Sequence, residues 1–387
     1  MIADNREYRS RRAKTLLSLC FLAMSLAGCG GRPAALLTPV QPKESATIVP
    51  ILALTTRAPD TDPGVLFSGE RSSEVSITAI DVSIPNDREV GSVQWPRSTT
   101  ADPTREFAAT SVRKLDRTSA ISWLKGRTGH QRRLFVYVHG FNVPFGNGVF
   151  RFAQMIHDSE MSAAPVLFSW PSRGRLLDYK RDLDNATYSR TDLANFLRAA
   201  AASPAVGEIV VFAHSMGSWI AVEAIRQLAL ESGAAPRKIK NLILASPDLD
   251  VGVFRRQMLD MGARAPALTL FISQSDRALR LSQIIARGGA RLGAVDLSAD
   301  AYREQLKQLR NVTVIDLSEL RQGDRINHSL YAASPEAVRL IGRQLVEGHS
   351  LDNSNGSGGF EVVETLGSAT RLIIATPALI LDAATER

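Results

Sequence analysis

Cysteine is almost absent from this sequence. Only Cys20 and Cys29 occur in 387 residues, and both lie within the first thirty positions. One disulfide at most could form, which excludes a small scaffold held together by disulfides. A zinc site built from thiolates is excluded as well, because it needs several cysteines at close spacing. The folded part of the chain is therefore also expected to lack a cysteine nucleophile.

The sequence also lacks internal repeats, and its folded part lacks a large excess of charge of one sign. No internal repeat is visible, which argues against a solenoid or a propeller. The net charge is +7, but residues 1–28 contribute +3 of it, and the remaining basic residues are mixed with acidic ones. We therefore expect a mixed, solvated surface and no nucleic-acid partner. Hydrophobic residues at 44% and charged residues at 22% are typical of a globular protein with a sizeable core.

A basic segment and a short apolar run open the chain. Residues 6–14 are basic, and residues 15–27 (TLLSLCFLAMSLA) carry no charge but are too short for a comfortable membrane span. The run ends in Leu26-Ala27-Gly28-Cys29, which resembles the lipobox of bacterial lipoproteins. That resemblance implies a signal peptide over residues 1–28 that is cleaved before Cys29. The thiol of Cys29 is then diacylglycerylated and its new amine is acylated.

The lipobox resemblance also predicts the location of the protein. Two or three acyl chains hold a soluble domain firmly on a bilayer, because each buried CH₂ group contributes about 0.8 kcal/mol. We expect a lipid-anchored protein of the cell envelope that faces the periplasm. Gly30, not aspartate, follows Cys29, and by resemblance to enterobacterial sorting this favours the outer membrane. A plain signal peptide with an incidental cysteine is one alternative, and an uncleaved anchor is another.

Composition divides the remaining chain into three parts. Residues 29–45 contain three prolines among small residues and are predicted to be an extended tether. Residues 46–349 are predicted to form one folded domain. Residues 350–387 begin with the linker SLDNSNGSGG and continue as an accessory segment, which we expect to pack on the domain or lie on the membrane. Its apolar run, Leu372 to Leu381, is too short to span a bilayer.

Six short apolar runs alternate with helical patterns between residues 130 and 346. They are continuous, as in parallel strands that are buried on both faces. The runs are Leu134–Val138, Val166–Trp170, Ile209–Phe212, Leu242–Ala245, Leu268–Ser273 and Val312–Ile315. This alternation predicts an α/β fold with a mostly parallel central sheet and helices on both faces. Val75–Ser83 and Glu89–Gln94 are predicted to be antiparallel strands at the sheet edge.

The third of these runs leads directly into a serine motif. The strand Glu208–Phe212 is followed by Ala213-His214-Ser215-Met216-Gly217, and a helical pattern begins at once. Strand, sharp turn, serine and helix form the context in which G-x-S-x-G predicts a nucleophile elbow. Ala213 replaces the first glycine, which weakens the motif only slightly. The alternative interpretation is that Ser215 merely caps the helix.

Two later loops offer an acid and a base. In this kind of fold an acidic residue and then a histidine follow the serine along the chain. Asp276 follows the fifth predicted strand and His328 follows the sixth, so both lie at the carboxyl edge of the sheet. Asp248 and Asp250 follow another strand end and remain alternative acids. Asp324 is interpreted as a turn residue.

The first predicted strand leads into Val138-His139-Gly140-Phe141-Asn142. A turn of this kind can direct a backbone N–H at an oxyanion, so the N–H groups of Phe141 and Met216 are predicted to form the oxyanion hole. His139 is expected to shape the turn by hydrogen bonding. Trp170 is left open between a substrate pocket and the core. The basic stretch 172–190 is interpreted as a solvated face in preference to a site for acidic headgroups.

These motifs together resemble a bacterial α/β-hydrolase family of largely uncharacterised function, many of whose members are lipoproteins. The similar segments span about residues 48–346 and are FVYVHGFNVPFGNGVFRFAQMIHD, LFSWPSRGRLLDYKRD, FAHSMGSWIAVEAIRQL, LASPDLDVGVFRRQ and SQSDRALRLSQ. The resemblance implies the α/β-hydrolase fold and a triad of Ser215, Asp276 and His328. It implies no particular substrate.

The expected function is that of a serine hydrolase. It would cleave carboxylic esters or thioesters of a small molecule or a lipid through a covalent acyl-enzyme. No metal or cofactor is expected. One alternative is a non-catalytic envelope or binding lipoprotein on a hydrolase scaffold, since fold does not imply function. Another is an acyltransferase that uses the same triad.

Overall fold

The structure is a computed structural model of the full chain. It describes residues 35–44, 46–129, 132–286, 289–296, 312–320, 327–347, 360–366 and 369–374. The predicted signal peptide, Cys29 and Asp324 lie outside the described residues. The lipidated cysteine and the turn at Asp324 therefore stay predictions from the sequence.

One sheet contains all eleven strands found among the described residues. The strands are β1 (Thr47–Pro59), β2 (Phe67–Ile84), β3 (Ala108–Leu115), β4 (Arg133–Val138), β5 (Ala164–Ser169), β6 (Glu208–His214), β7 (Ile239–Ala245), β8 (Ala267–Ile272), β9 (Val312–Asp316), β10 (Phe360–Leu366) and β11 (Ala369–Ile374). Their order across the sheet is β10-β11-β9-β8-β7-β6-β4-β5-β1-β2-β3. Neighbouring strands from β9 to β1 in this order are parallel, and β2, β3, β10 and β11 are antiparallel additions.

Helices cover both faces of this sheet. The α-helices of the described residues are α1 (Arg117–Lys125), α2 (Phe145–Asp158), α3 (Tyr179–Ala202), α4 (Gly217–Ser232), α5 (Val251–Met261), α6 (Arg277–Ala286), α7 (Leu330–Ala333) and α8 (Pro335–Glu347). Core side chains of α1, α3, α4 and α5 join one hydrophobic cluster, while those of α2, α7 and α8 join a second. Along β4, Val136 points into the first cluster and Tyr137 into the second, as the two-residue period of a strand requires.

The predicted α/β fold is confirmed. Each of the six predicted apolar runs forms a strand of the parallel part, and all side chains of β4 and β5 are buried. Burial on both faces explains why these runs are continuous in the sequence. The expected antiparallel strand at Val75–Ser83 lies within β2.

The prediction of a strand at Glu89–Gln94 is wrong. This segment turns at Gly91, which has a φ of +87°, a conformation that L side chains rarely adopt. A Cβ atom at Gly91 would lie 2.8 Å from the carbonyl carbon of Ala333. The Gly91 N–H donates to Asp158 Oδ2 at 2.8 Å, so close packing against α2 and α7 replaces strand pairing here.

The predicted tether over residues 29–45 also needs a correction. Leu36 and Leu37 are buried in the second hydrophobic cluster, at 3% and 0% exposure. The Leu37 N–H donates to Gly64 O at 2.8 Å, and the Val40 N–H donates to Ala109 O at 2.9 Å. The described part of this segment is thus packed on the domain. Burying two adjacent leucine side chains lowers the free energy of the folded chain relative to leaving them in water.

The described strands of the accessory segment extend the sheet. β10 and β11 pair with each other, and β11 lies antiparallel to β9, with Thr370 opposite Asp316 and Ile374 opposite Val312. Part of the predicted apolar run therefore lies in β11. Within the described ranges, no helix combines the length and the apolar character that crossing a membrane requires.

Candidate active site

The candidate site lies where the strand order reverses. The chain passes from β4 to β5 on one side and then returns to β6 on the other side of β4. β4 has β5 on one side and β6 on the other, so the loops that leave β4 and β6 diverge from adjacent strands. Such a switch point opens a crevice at the carboxyl edge of a parallel sheet. The loop after β4 carries His139 to Asn142, and the turn after β6 carries Ser215.

Ser215 stands in a strained turn between β6 and α4. Its φ is +51°, a left-handed conformation that is uncommon for a residue other than glycine. The strain is held by neighbouring backbone, because the Ser215 N–H donates to Ala245 O at 2.9 Å and the Ser218 N–H donates to Ser215 O at 3.0 Å. This is the sharp strand-to-helix turn that the motif predicts.

Two glycines allow the close approach around Ser215. A Cβ atom at Gly217 would lie 2.6 Å from Val138 O, so α4 can start against β4 only without a side chain there. A Cβ atom at Gly140 would lie 2.8 Å from His214 Nδ1 and 3.0 Å from Ser215 Cβ. The loop after β4 is therefore in direct contact with the serine turn.

Asp276 and His328 form a buried hydrogen-bonded pair. His328 Nδ1 lies 2.7 Å from Asp276 Oδ2, although the two residues are 52 positions apart. The Asp276 side chain is fully buried and that of His328 is 14% exposed. Asp276 Oδ1 accepts the N–H of Leu279 at 3.0 Å in the first turn of α6. The carboxylate is thus fixed from two sides and orients the imidazole ring.

His214 joins this pair to the serine turn. His214 immediately precedes Ser215, and its Nε2 lies 3.1 Å from the carbonyl oxygen of His328. The two imidazole rings are 4.7 Å apart. Burial, and next the neighbouring His328, lower the pKa of His214 well below its usual range. His214 is therefore neutral and has a structural role. Its contact with His328 brings that histidine to the turn that carries Ser215, the predicted nucleophile.

The two alternative acids have other partners. Asp248 accepts hydrogen bonds from Tyr179 at 2.8 Å and from Ser282 at 2.7 Å, and it lies 3.2 Å from Arg291 Nε. Asp250 caps α5, since its Oδ1 accepts the N–H of Val253 at 3.0 Å. Of the three predicted acids, the structure brings Asp276 to His328.

The two predicted oxyanion donors lie in the two turns that meet at Ser215. Phe141 follows Gly140 in the loop after β4, and Met216 follows Ser215 at the start of α4. In the described part of the chain, neither backbone N–H donates a hydrogen bond to another residue. The position of Met216 before the first residue of a 16-residue helix adds the positive end of the helix dipole.

The sequence patterns miss a buried arginine beneath the β4 loop. Arg57, at the end of β1, is 1% exposed. Its guanidinium donates to Val143 O at 2.6 Å and to Ser172 O at 2.9 Å, both in loops at the site, and to Ser169 Oγ at 2.9 Å. An arginine inside the apolar stretch ILALTTRAP is the only sequence signal of this role. The three partners at the site, Val143, Ser169 and Ser172, lie 86 to 115 positions away along the chain.

His139 belongs to the same buried network. Its Nε2 lies 3.0 Å from Ser169 Oγ and 3.3 Å from Arg57 Nη2, and its Nδ1 lies 2.8 Å from Gly140 O. Burial, and then the Arg57 charge, lower the pKa of His139 to about 3. Burial likewise lowers the pKa of Arg57 to about 9, against the opposing charge of Asp182. His139 is therefore neutral and shapes the loop.

Trp170 is a core residue. Its ring is fully buried and stacks on His139 with ring centroids 5.2 Å apart. The indole N–H donates to His139 O at 2.7 Å. Of the two roles left open for Trp170, the structure therefore supports packing beneath the loop and not the lining of a pocket.

Residues 116–344, more than half of the chain, match the model of the family described as alpha/beta hydrolase of unknown function (DUF900). The chain belongs to this family. The match includes the strands β4 to β9 and the positions of Ser215, Asp276 and His328. The family is described as being of unknown function, so the match assigns no reaction.

The individual proteins that this chain is similar to share little sequence identity with it. An uncharacterized protein of Nostoc sp. (strain PCC 7120), alr1448, is 29% identical over a segment that covers 28% of this chain and 36% of that protein. The matched part thus spans about a third of that relative. Est1E from Butyrivibrio proteoclasticus is 13% identical with a TM-score of 0.35, covering 70% of this chain and 96% of its own.

Two further solved structures resemble the chain at a similar level. The siderophore hydrolase EstA from Aspergillus nidulans is 14% identical with a TM-score of 0.37, covering 79% of this chain and 98% of its own. The type II thioesterase YbtT of the yersiniabactin pathway is 20% identical with a TM-score of 0.32, covering 57% and 94%. At these TM-scores the similarities carry no argument about the reaction of this chain.

Proposed function

We propose that this protein is a serine hydrolase that cleaves carboxylic esters or thioesters. The observation that carries the proposal is the 2.7 Å contact between His328 and the buried Asp276, beside a serine at a φ of +51°. A solvated or purely structural histidine does not need a fully buried carboxylate on Nδ1, whereas a general base does, because the carboxylate fixes the tautomer and stabilises the imidazolium.

In the proposed reaction, Ser215 Oγ attacks the carbonyl carbon of the substrate. The serine proton passes to Nε2 of His328, since Nδ1 is held by Asp276. The carbonyl electron pair moves onto oxygen, and this oxyanion accepts the N–H groups of Phe141 and Met216. Each such donor contributes about 2.7–4 kcal/mol to transition-state stabilisation.

Collapse of the tetrahedral intermediate expels the alcohol or thiol. The leaving oxygen or sulfur takes the proton from His328, and the acyl group remains on Ser215 as an ester. Water then attacks this ester with His328 again as the base, which releases the carboxylic acid and restores the serine. The buried Arg57 and the neutral His139 take no part in proton transfer and hold the loop that carries Phe141.

The proposal is tested by hydrolysis of a series of p-nitrophenyl esters and acyl thioesters of increasing chain length. We expect turnover by the wild-type protein and loss of about 10³-fold or more in Ser215→Ala and in His328→Ala. Ser218→Ala is the matched control, because Ser218 is a fully buried serine three residues after Ser215. Equal activity in wild type and Ser215→Ala contradicts the proposal.

The N-terminal motif supports a membrane-anchored form of this hydrolase. The cysteine of Leu26-Ala27-Gly28-Cys29 is proposed as the lipidated first residue of the mature chain, in the envelope and facing the periplasm. Expression in a bacterial host with an alkyne-labelled fatty acid tests this. Wild type should incorporate the label and Cys29→Ser should not. The Cys20→Ser variant is the control, since Cys20 lies in the predicted signal peptide and should not change the labelling.

A further inference from the structure

Four large apolar side chains are exposed on two segments that follow strand ends at the carboxyl edge of the sheet. Leu177, between β5 and α3, is 99% exposed. On α6, Ile284 is 72%, Leu281 is 52% and Ile285 is 50% exposed. The inner side of α6 is packed instead, with Leu279 and Ser282 buried. A group of large apolar side chains that is exposed to solvent often marks a binding surface.

Asp248 joins these two segments. It accepts hydrogen bonds from Tyr179, two residues after Leu177, and from Ser282, one residue after Leu281. The Asp248 N–H in turn donates to Ser215 O at 3.3 Å. The carboxylate of Asp248 therefore links the two segments that carry the exposed apolar residues, and its backbone N–H contacts the serine turn. Both segments are thus connected to the candidate active site through Asp248.

Both segments are also basic. Residues 277–295 contain four arginines and no acidic residue, and residues 172–181 contain four basic residues and one aspartate. Arg173 and Arg181 pair with Glu70, and Arg291 pairs with Asp248. Four exposed cations have no salt bridge among the described residues, and these are Arg175, Lys180, Arg277 and Arg280. A helix with an exposed apolar face and basic flanks suits the surface of a membrane that contains anionic lipids.

We propose that this region is a docking surface for an anionic phospholipid bilayer, oriented so that the carboxyl edge of the sheet faces the lipid. The docking surface consists of Leu177, Leu281, Ile284 and Ile285 with Arg175, Lys180, Arg277 and Arg280. The apolar side chains enter the headgroup region, and the cations bind the phosphates. A lipid anchor alone would hold the domain near the membrane without orienting it, whereas this surface brings the serine turn to the bilayer.

A second copy of the chain fits this surface less well. In a twofold dimer the same patch meets itself, which opposes the arginines of one α6 to those of the other. Like charges across an interface are unfavourable, whereas phosphate groups neutralise them. In this proposal the basic stretch 172–190, which is interpreted from the sequence as a solvated face, contacts lipid through its first part. Leu177 in that part is almost fully exposed and is available for the contact.

The test uses the full chain with Cys20→Ser and Cys29→Ser, so that a single introduced cysteine carries an environment-sensitive fluorophore. Ile284→Cys places the label on the docking surface. Leu230→Cys is the matched control, since Leu230 is 57% exposed near the end of α4, which starts at the carboxyl edge and runs to the opposite edge. Vesicles of phosphatidylcholine alone are compared with vesicles that also contain phosphatidylglycerol, and both kinds carry the same lipid-borne quencher.

With anionic vesicles, the label at 284 should shift to shorter wavelength and be quenched, while the label at 230 should not change. Arg277→Gln and Arg280→Gln should each raise the lipid concentration for half the shift about fivefold. No shift at 284, an equal shift at 230, an equal response to neutral vesicles, or a shift that depends on protein concentration without lipid overturns the proposal. None of these readouts depends on whether Ser215 is reactive, so the docking surface and the hydrolase are tested separately.

Discussion

His328 and Asp276 are joined by a 2.7 Å contact in which the carboxylate is completely buried. Because the second carboxylate oxygen is held by the Leu279 N–H, Asp276 has one orientation available and fixes His328 in one tautomer. We predict that Asp276→Asn lowers kcat for ester hydrolysis by about 10³–10⁴-fold, since the amide favours the wrong tautomer. The measurement is steady-state kinetics on a short-chain ester.

Asp248→Asn is the control for this prediction. Asp248 binds Tyr179, Ser282 and Arg291, so its loss should affect stability and the neighbouring surface more than the chemical step. We expect a far smaller drop in kcat than for Asp276→Asn. If Asp248→Asn alone abolishes turnover in a folded protein, Asp276 is not the acid of the triad.

Arg57 is predicted to act through the loop that carries Phe141. Lysine at position 57 keeps the charge but cannot reach Val143 O, Ser172 O and Ser169 Oγ together, because it lacks the planar guanidinium. We predict that Arg57→Lys lowers kcat about 10–100-fold with little change in KM, since small displacements of an oxyanion donor are costly.

Arg88→Lys is the matched control for Arg57. Arg88 is another buried arginine, with 3% of its side chain exposed, and it pairs with Asp158 at the end of α2, away from the serine turn. It should lower Tm without changing kcat. If Arg57→Lys changes only Tm in the same way, Arg57 is a purely structural residue.

Acid stability should report the neutral, buried state of His139. Burial lowers the pKa of His139 to about 3 in the folded protein, whereas an unfolded histidine has a pKa of about 6.5. Between these values the unfolded chain binds a proton that the folded chain does not bind. The free energy of unfolding therefore decreases as pH falls below about 6.5, by about 1.4 kcal/mol per pH unit for one histidine.

The measurement is urea unfolding at several pH values between about 4.5 and 6.5. His139→Asn should be less stable at neutral pH but should show a shallower dependence, by about 1.4 kcal/mol per pH unit. Parallel curves for wild type and variant would mean that His139 is protonated in the folded protein and that its proposed neutral role is wrong.

Gly217 should tolerate no side chain. A Cβ atom there would lie 2.6 Å from Val138 O, so Gly217→Ala must push α4 away from β4. We expect a loss of about 1–3 kcal/mol in the free energy of unfolding, together with reduced activity because Ser215 and Met216 move. Gly126→Ala is the control, since Gly126 has a φ of −75° and its nearest neighbour would be 3.7 Å away. Equal stability of the two variants contradicts this packing argument.

The parts of the fold that the sequence predicts are those set by local pattern. The parallel strands are recognisable because burial on both faces leaves continuous apolar runs, as in β4 and β5. No pattern predicts β1 as a strand of the parallel sheet, since it contains Pro50 and the buried Arg57. Its parallel pairing with β5 joins residues more than a hundred positions apart in the chain.

The candidate site is predictable to the extent that chain order determines it. Ser215, Asp276 and His328 each follow a strand end, and parallel strands bring such ends to one edge. The Arg57 network escapes prediction because its partners, Val143, Ser169 and Ser172, have no sequence relation to Arg57. The packing of Leu36 and Leu37 escapes it as well, because prolines on both sides resemble a linker.

The reactivity of Ser215 is the central claim, and covalent labelling tests it most directly. The wild-type chain is treated with a fluorophosphonate probe, and the labelled peptide is identified by mass spectrometry beside Ser215→Ala, His328→Ala and Ser218→Ala. We predict one adduct, on Ser215, that disappears in Ser215→Ala, forms far more slowly in His328→Ala, and is unchanged in Ser218→Ala. Absence of labelling in the wild-type protein, or equal labelling of Ser215→Ala, would contradict it.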